Sequence, residues 1–199
     1  DIPAARRIAA RLAGMGIAVL RFDSTGLGHS EGEFANTSFT SNVDDLIAAC
    51  RYLDGAGMPP GLLIGHSLGG AAVLKAASHM PRIKAVATLN APFDPEHVTH
   101  NFADALPDIL ENGVAEVSLG GRPFNISKSF VDDVSQGTLA PAIGAMKAAL
   151  LVLHAPTDAV VGIDNASQIF LAAKHPKSFV TLDGANHLIT RARDAEYAA

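Results

Sequence analysis

The stretch LLIGHSLGGAAVL, Leu62 to Leu74, places a serine between two apolar runs and surrounds it with glycines. Gly65-His66-Ser67-Leu68-Gly69 fits Gly-x-Ser-x-Gly, and Gly70 follows at once. The run before it reads as a buried strand and the run after it as a helix, so Ser67 falls on a strand-to-helix turn. Such a turn is tight enough to exclude bulk from its flanks and lifts the hydroxyl above the carboxyl end of the strand. Ser67 is then a candidate nucleophile. The first turn of the following helix carries unpaired N–H groups and the positive end of the helix dipole, so the Leu68 N–H is a candidate oxyanion donor. A bare pattern of this kind arises readily by chance. The strand before it, the helix after it and suitable partners downstream carry the reading.

A serine hydroxyl needs a base to take its proton, and an imidazole base needs a carboxylate to fix its tautomer and stabilise the imidazolium. Each partner belongs on a loop leaving the carboxyl end of a later strand. Asp158 follows LLVLHAPT and His187 follows SFVTLDGAN, which makes them the candidate acid and base. The chain has eight histidines. His79 lies at a helix end, His97 and His100 in an irregular central region, His175 at the amino end of a strand and His29 in a glycine-rich loop. The first four are not placed to reach Ser67, and His29 reads as solvated. His66, inside the turn, and His154, at the end of a strand near Asp158, either line a pocket or pack in the core with one satisfied hydrogen bond; core packing is the simpler reading. Asp94, after the third apolar strand, is the rival acid. Asp164 reads as a helix cap.

The elements that position these residues alternate. Helical spacing of Ala5, Ile8, Ala9 and Leu12, with Asp1 as N-cap, predicts a first helix ending at Gly14–Gly16. IAVLRF (Ile17–Phe22) predicts a buried strand, and Val43, Leu46, Ile47 and Cys50 a second helix. GLLIGH, IKAVATLNA, AALLVLHA and KSFVTL predict further strands; helices are expected at LGGAAVLKAASHM, over Asp164–Ala173 and from about Leu188. Continuous apolar strands alternating with helices imply a doubly wound, mostly parallel α/β sheet covered on both faces. Residues 92–145 break the rhythm, with alternation on both sides of Gly120-Gly121 predicting a hairpin and helices at Phe102–Leu110 and Ser129–Val134. The expectation is one domain, 1–199, with 92–145 as a cap or insertion.

A formal charge of −5 and 18% charged residues give no electrostatic footprint for nucleic acid or an anionic membrane. No apolar run is long enough to span a bilayer. The single cysteine, Cys50, cannot form an intrachain disulfide, which fits a reducing, cytoplasmic setting. Gly26, Gly28 and Gly32 are spaced as GxGxxxG rather than as a dinucleotide fingerprint, and no HExxH or paired-histidine spacing points to a metal. No cofactor and no metal are expected.

With Ser67, Asp158 and His187 placed, the chain resembles the α/β-hydrolase superfamily over essentially its whole length. LLIGHSLGG, LLVLHAPTDAVVG and DGANHL are similar to its elbow, acid and base segments. DSTGLGHSEGEF is similar to its D-x-x-G-x-G-x-S loop, carried here by Asp23, Gly26, Gly28 and Ser30. More narrowly, AARRIAARLAGMGIAVLRFD, APFDPEHVTH and HPKSFVTLDGANHLITR resemble the hydrolase half of bacterial proteins in which an α/β hydrolase is fused to an OsmC-like peroxidase domain. The resemblance implies a serine hydrolase that acts on a small ester, thioester or related acyl compound through an acyl-enzyme. The alternative it implies is a docking or regulatory module for a redox domain. In the superfamily, a further strand precedes the first helix seen here, and the loop between them supplies the second oxyanion donor. The expectation is therefore an N-terminally truncated chain, with a slot of about 10 Å, two strand spacings, between Ile17–Phe22 and Leu62–His66. Phe102, Leu106, Ile109, Leu110 and Phe124 either wall an acyl pocket or pack the cap onto the sheet.

Overall fold

The computed structural model describes residues 2–119 and 121–199. Four strands, β1 (Leu62–His66), β2 (Ala85–Leu89), β5 (Ala149–His154) and β6 (Lys177–Thr181), form a parallel sheet in the order β1-β2-β5-β6. The carboxyl ends are level, with His66 opposite Leu89 and Leu89 opposite Leu153, while His154 faces Thr181. Each ladder runs one residue further: the N–H groups of Ser67, Asn90 and Leu182 donate to Leu89, Leu153 and His154 carbonyls at 2.9, 3.0 and 2.9 Å. Four loops thus leave the sheet from one edge.

Helices cover both faces, as the unbroken apolar strands require. One face packs α2 (Phe39–Gly55), α3 (Leu68–His79), α6 (Ala140–Ala145) and α7 (Asp164–Ala172) against Val86, Leu150 and Val152. The other packs α1 (Pro3–Gly14) and α8 (Ala192–Tyr197) through Ala4, Ile8, Leu12 and Ala195 onto Ala87, Leu89 and Leu153. Neighbouring strand residues therefore serve opposite cores, the period-two geometry of a doubly wound sheet. Asp1, expected as the first N-cap, lies outside the described residues. Asp164 occupies the first helical position of α7, with Ile163 as its N-cap. The last helix starts at Ala192 rather than near Leu188. Residues 186–190 instead make a turn in which Ile189, buried, takes φ +50° and Asn186 Oδ1 accepts the Thr190 N–H at 3.0 Å.

The IAVLRF run departs from expectation. Residues 17–22 form no ladder with any strand among the described residues, and all six are exposed. On β1, Leu62 and Ile64 are exposed as well. An apolar β-rich run becomes a buried strand only where neighbouring backbones complete its hydrogen bonds, and here β1 does not pair with it. The following loop braces itself: Asp23 accepts the His29 N–H at 3.1 Å, and Thr25 binds Asp45 through its N–H at 2.8 Å and its hydroxyl at 2.9 Å. A Cβ on Gly28 would overlap the Asp23 carboxyl group. The Asp23 carboxylate thus occupies the space beside Gly28 within its own loop.

Residues 92–145 contain a 3₁₀ stretch at Pro95–Ala105, α4 (Leu106–Asn112), the antiparallel pair β3 (Val114–Leu119) and β4 (Arg122–Ser127), α5 (Lys128–Ser135) and α6. Gly120, half of the expected turn pair, lies outside the described residues. Phe102 and Ile109 are buried in the core shared with α3, and Phe124 stacks edge-on against Phe34 at 5.1 Å. They pack this region rather than wall a pocket; Leu110 is exposed. Asp133 ties α5 to the start of α2 by accepting the Thr40 N–H and hydroxyl at 2.7 and 2.8 Å.

Leu74 is completely buried in α3, and Leu171, in α7, is 77% exposed. Leu74→Ala is expected to destabilise the fold by about 2–5 kcal/mol and Leu171→Ala by less than about 0.5 kcal/mol. Urea denaturation of the two variants checks the packing of α3 on the sheet.

Candidate active site

Ser67 sits between β1 and α3 with φ +53° and ψ −129°, a conformation that non-glycine residues adopt only where the surroundings enforce it. The enforcement is steric and local. A Cβ on Gly65 would lie 2.6 Å from the Gly69 carbonyl carbon and 2.8 Å from Gly70 Cα, and one on Gly70 would collide with the Ala91 methyl group. At Gly69 a Cβ would meet open space. The close approach therefore involves Gly65 and Gly70, not the second glycine of the motif. Leu68 opens α3, so its N–H has no acceptor within the helix and faces the elbow with the helix dipole behind it.

The structure brings three of the expected residues into one hydrogen-bonded chain. His187 Nε2 lies 3.0 Å from Ser67 Oγ, and His187 Nδ1 lies 2.7 Å from Asp158 Oδ2. A carboxylate can only accept, so Nδ1 carries the proton and Nε2 presents a lone pair to the serine hydroxyl. The Asp158 side chain is fully buried and that of His187 12% exposed. Burial alone would raise the Asp158 pKa. The bonds from His187, Val161 and Val160 outweigh it and hold the carboxyl below its ordinary value. The Val160 and Val161 N–H groups reach Oδ1 at 2.8 and 3.0 Å, so both carboxylate oxygens are satisfied in the interior.

The remaining expected residues separate. Asp94, the rival acid, accepts the Leu139 N–H at 3.1 Å and so belongs to the packing of residues 92–145. His154 is buried and its Nε2–H donates to the Val161 carbonyl at 2.9 Å; Nδ1 has no partner among the described residues, and burial lowers its pKa. His66 donates Nε2–H to the His187 carbonyl at 2.6 Å with the two rings 4.9 Å apart, and desolvation brings its pKa down to about 4. Each histidine thus has its Nε2 committed to a backbone carbonyl. Cys50 is buried, and its thiol is pushed up by burial and then by Asp54, so it is no competing nucleophile.

Two residues join the site that the spacing arguments did not single out. Asn90, directly after β2, is completely buried with φ +48°; its Oδ1 accepts the Ala155 N–H at 2.8 Å and its Nδ2 donates to the His187 carbonyl at 2.9 Å. His97 reaches the acid loop from the 3₁₀ stretch, donating Nε2–H to the Val160 carbonyl at 2.9 Å. Asn90 had a signal: a polar side chain at the carboxyl end of an otherwise apolar buried strand. His97 had none, because its partner is a backbone carbonyl 63 residues away.

The sequence profile of a hydrolase family described as serine aminopeptidase, S33, matches residues 4–136. The chain belongs to the S33 serine aminopeptidase family. The esterase domain of a Rhodothermus marinus protein shares 45% identity with this S33-family chain, over 98% of it and 75% of that domain's chain, with a TM-score of 0.77. Two structures share the α/β-hydrolase fold at lower identity. The Butyrivibrio proteoclasticus Est1E structure with bound ferulic acid is 19% identical over 99% of this chain and 82% of its own, with a TM-score of 0.76. Mouse alpha/beta hydrolase domain-containing protein 10 is 23% identical over 98% and 79%, with a TM-score of 0.78. No curated protein sequence matches the chain significantly. No helix among the described residues is long and apolar enough to cross a membrane.

His66 gives this S33-family member a measurable pH signature. Between pH 6.5 and about 4 the unfolded chain takes up a proton at His66 that the folded chain refuses, so folding weakens as pH falls through that window. His66→Gln is expected to shrink the stability difference between pH 7.5 and pH 4.5 by on the order of 2 kcal/mol. Denaturant titrations at the two pH values measure it.

Proposed function

We propose that this S33-family chain is a serine hydrolase of small esters, thioesters or related acyl compounds, with Ser67 as nucleophile, His187 as general base and Asp158 as its orienting acid. The observation that carries the reading is the unbroken Asp158–His187–Ser67 hydrogen-bond chain at the carboxyl edge of the sheet. Ser67 Oγ attacks the acyl carbonyl carbon while His187 Nε2 takes its proton, and Asp158 stabilises the imidazolium through Nδ1. The carbonyl oxygen becomes an oxyanion against the Leu68 N–H. Collapse expels the alcohol or thiol, which receives the proton from His187 and leaves an acyl group on Ser67. Water, deprotonated by the same nitrogen, attacks the acyl-enzyme and releases the acid.

The esterase description of the 45%-identical Rhodothermus marinus domain supports an ester substrate over an amide. The region 92–145 is read as a cap that borders the cleft from one side, through His97 on the acid loop. In this scheme the loops at the carboxyl edge of the sheet supply the nucleophile, the base, the acid and one oxyanion donor, the Leu68 N–H.

A fluorophosphonate is expected to modify Ser67 in the full-length gene product. Ser67→Ala abolishes the label, and His187→Ala lowers hydrolysis of a p-nitrophenyl acyl ester by at least about 10³-fold. Labelling that persists in Ser67→Ala, or a folded wild type that neither labels nor hydrolyses, overturns the assignment.

A further inference from the structure

The Ser67–His187 pair is held by more than its own hydrogen bond. The strand delivering Ser67 and the strand delivering His187 are at opposite edges of the four-stranded sheet, three strand spacings or about 14 Å apart. The loop after β6 has to return across the ends of β5 and β2 before His187 can stand over the elbow. On that path its backbone is caught at two adjacent carbonyls. The His187 carbonyl accepts His66 Nε2–H at 2.6 Å and Asn90 Nδ2–H at 2.9 Å, and Asn90 Nδ2 also reaches the Asn186 carbonyl at 3.2 Å.

We infer that His66 and Asn90 are positioning residues that clamp the backbone of the base through this carbonyl, a role that rests on the reading of Ser67 and His187 as nucleophile and base. A carbonyl oxygen has two lone pairs, and two donors from two different strands engage both. Holding this carbonyl restricts the backbone that carries the ring, while Ser67 and Asp158 engage the two ring nitrogens. His66 is the chain neighbour of Ser67, so its bond ties the backbone of the base to the backbone of the nucleophile. Asn90 adds the third member: its Oδ1 accepts the N–H of Ala155, at the start of the loop that carries Asp158. One buried carboxamide thus spans the loops of acid and base. Its donor and acceptor ends are both committed, so a carboxylate in its place would set oxygen against oxygen.

The test uses donor chemistry rather than bulk. His66→Phe keeps a planar ring and loses the N–H, and His66→Gln restores an amide N–H near the position of Nε2. Asn90→Asp keeps the acceptor for Ala155 and removes the donor. The first readout is solvent exchange of the low-field His187 Nδ1 proton in the Asp158 bond, followed by proton NMR, which does not depend on turnover. Exchange is expected to be at least about tenfold faster in His66→Phe and in Asn90→Asp, and within about threefold of wild type in His66→Gln. The second readout is ester hydrolysis: kcat falls about 10- to 100-fold with KM unchanged in His66→Phe, and His66→Gln recovers it. If Asn90→Asp does not fold, the phenylalanine and glutamine variants decide alone. A His66→Phe protein whose Nδ1 proton exchanges within about twofold of wild type overturns the clamp. Faster exchange in a protein whose wild type neither labels nor hydrolyses leaves the clamp standing and removes the serine-hydrolase reading instead.

Discussion

An imidazole must stand over a serine although the two are delivered by strands at opposite edges of the sheet. A parallel sheet makes this arrangement possible because every strand ends on the same side. Here the ends are level to within a residue, so the loops after β1, β2, β5 and β6 meet over one short edge. The same geometry creates the difficulty, since a loop that crosses about 14 Å of strand ends has freedom to wander. Side-chain hydrogen bonds to its backbone, from His66 at the end of β1 and from the buried Asn90 after β2, act against that freedom.

The acid loop follows the same logic. Asp158 is a buried charge, and such a group is tolerated only with its oxygens fully engaged. Val160 and Val161 each give an N–H to Oδ1, while their carbonyls accept Nε2–H from His97 and His154. Histidines thus brace both faces of the turn that presents the carboxylate. His66, with a pKa held near 4, stays neutral at neutral pH. Burial also lowers the His154 pKa, so neither of these two rings competes as a cation with His187 for the Asp158 charge. The elbow adds strain of its own, held by the contact of Gly65 with Gly69 and of Gly70 with Ala91.

Much of this was readable from residue types and spacing, because buried parallel strands advertise themselves as continuous apolar runs and the loops that follow them carry the polar residues. Ser67, Asp158 and His187 stood out for that reason, while Asp94, which also follows an apolar strand, stood as a rival acid that only the three-dimensional contacts separate from them. The departures have a common cause. IAVLRF carries the composition of a buried strand, but composition says nothing of whether a neighbouring backbone is there to pair with it. Gly69 looked sterically required within the motif, whereas the collisions fall on Gly65 and Gly70, because contact is set by the direction of the absent Cβ and not by position in a pattern. Asn90 and His97 act on backbone carbonyls far away in the chain, and no side-chain spacing encodes such partners. Phe102 and Ile109 could have lined a pocket as easily as a core; only the packing of residues 92–145 against α3 decides it.

Central to the proposed function is that Ser67 carries the acyl group during turnover. The most direct measurement is acid quenching of the wild-type protein during steady-state hydrolysis of a p-nitrophenyl acyl ester, followed by peptide mass mapping. The account predicts an acyl group on the peptide containing Ser67, absent from Ser67→Ala and from His187→Ala. Sustained hydrolysis with an unmodified Ser67 peptide, or with the acyl group on another residue, would contradict it.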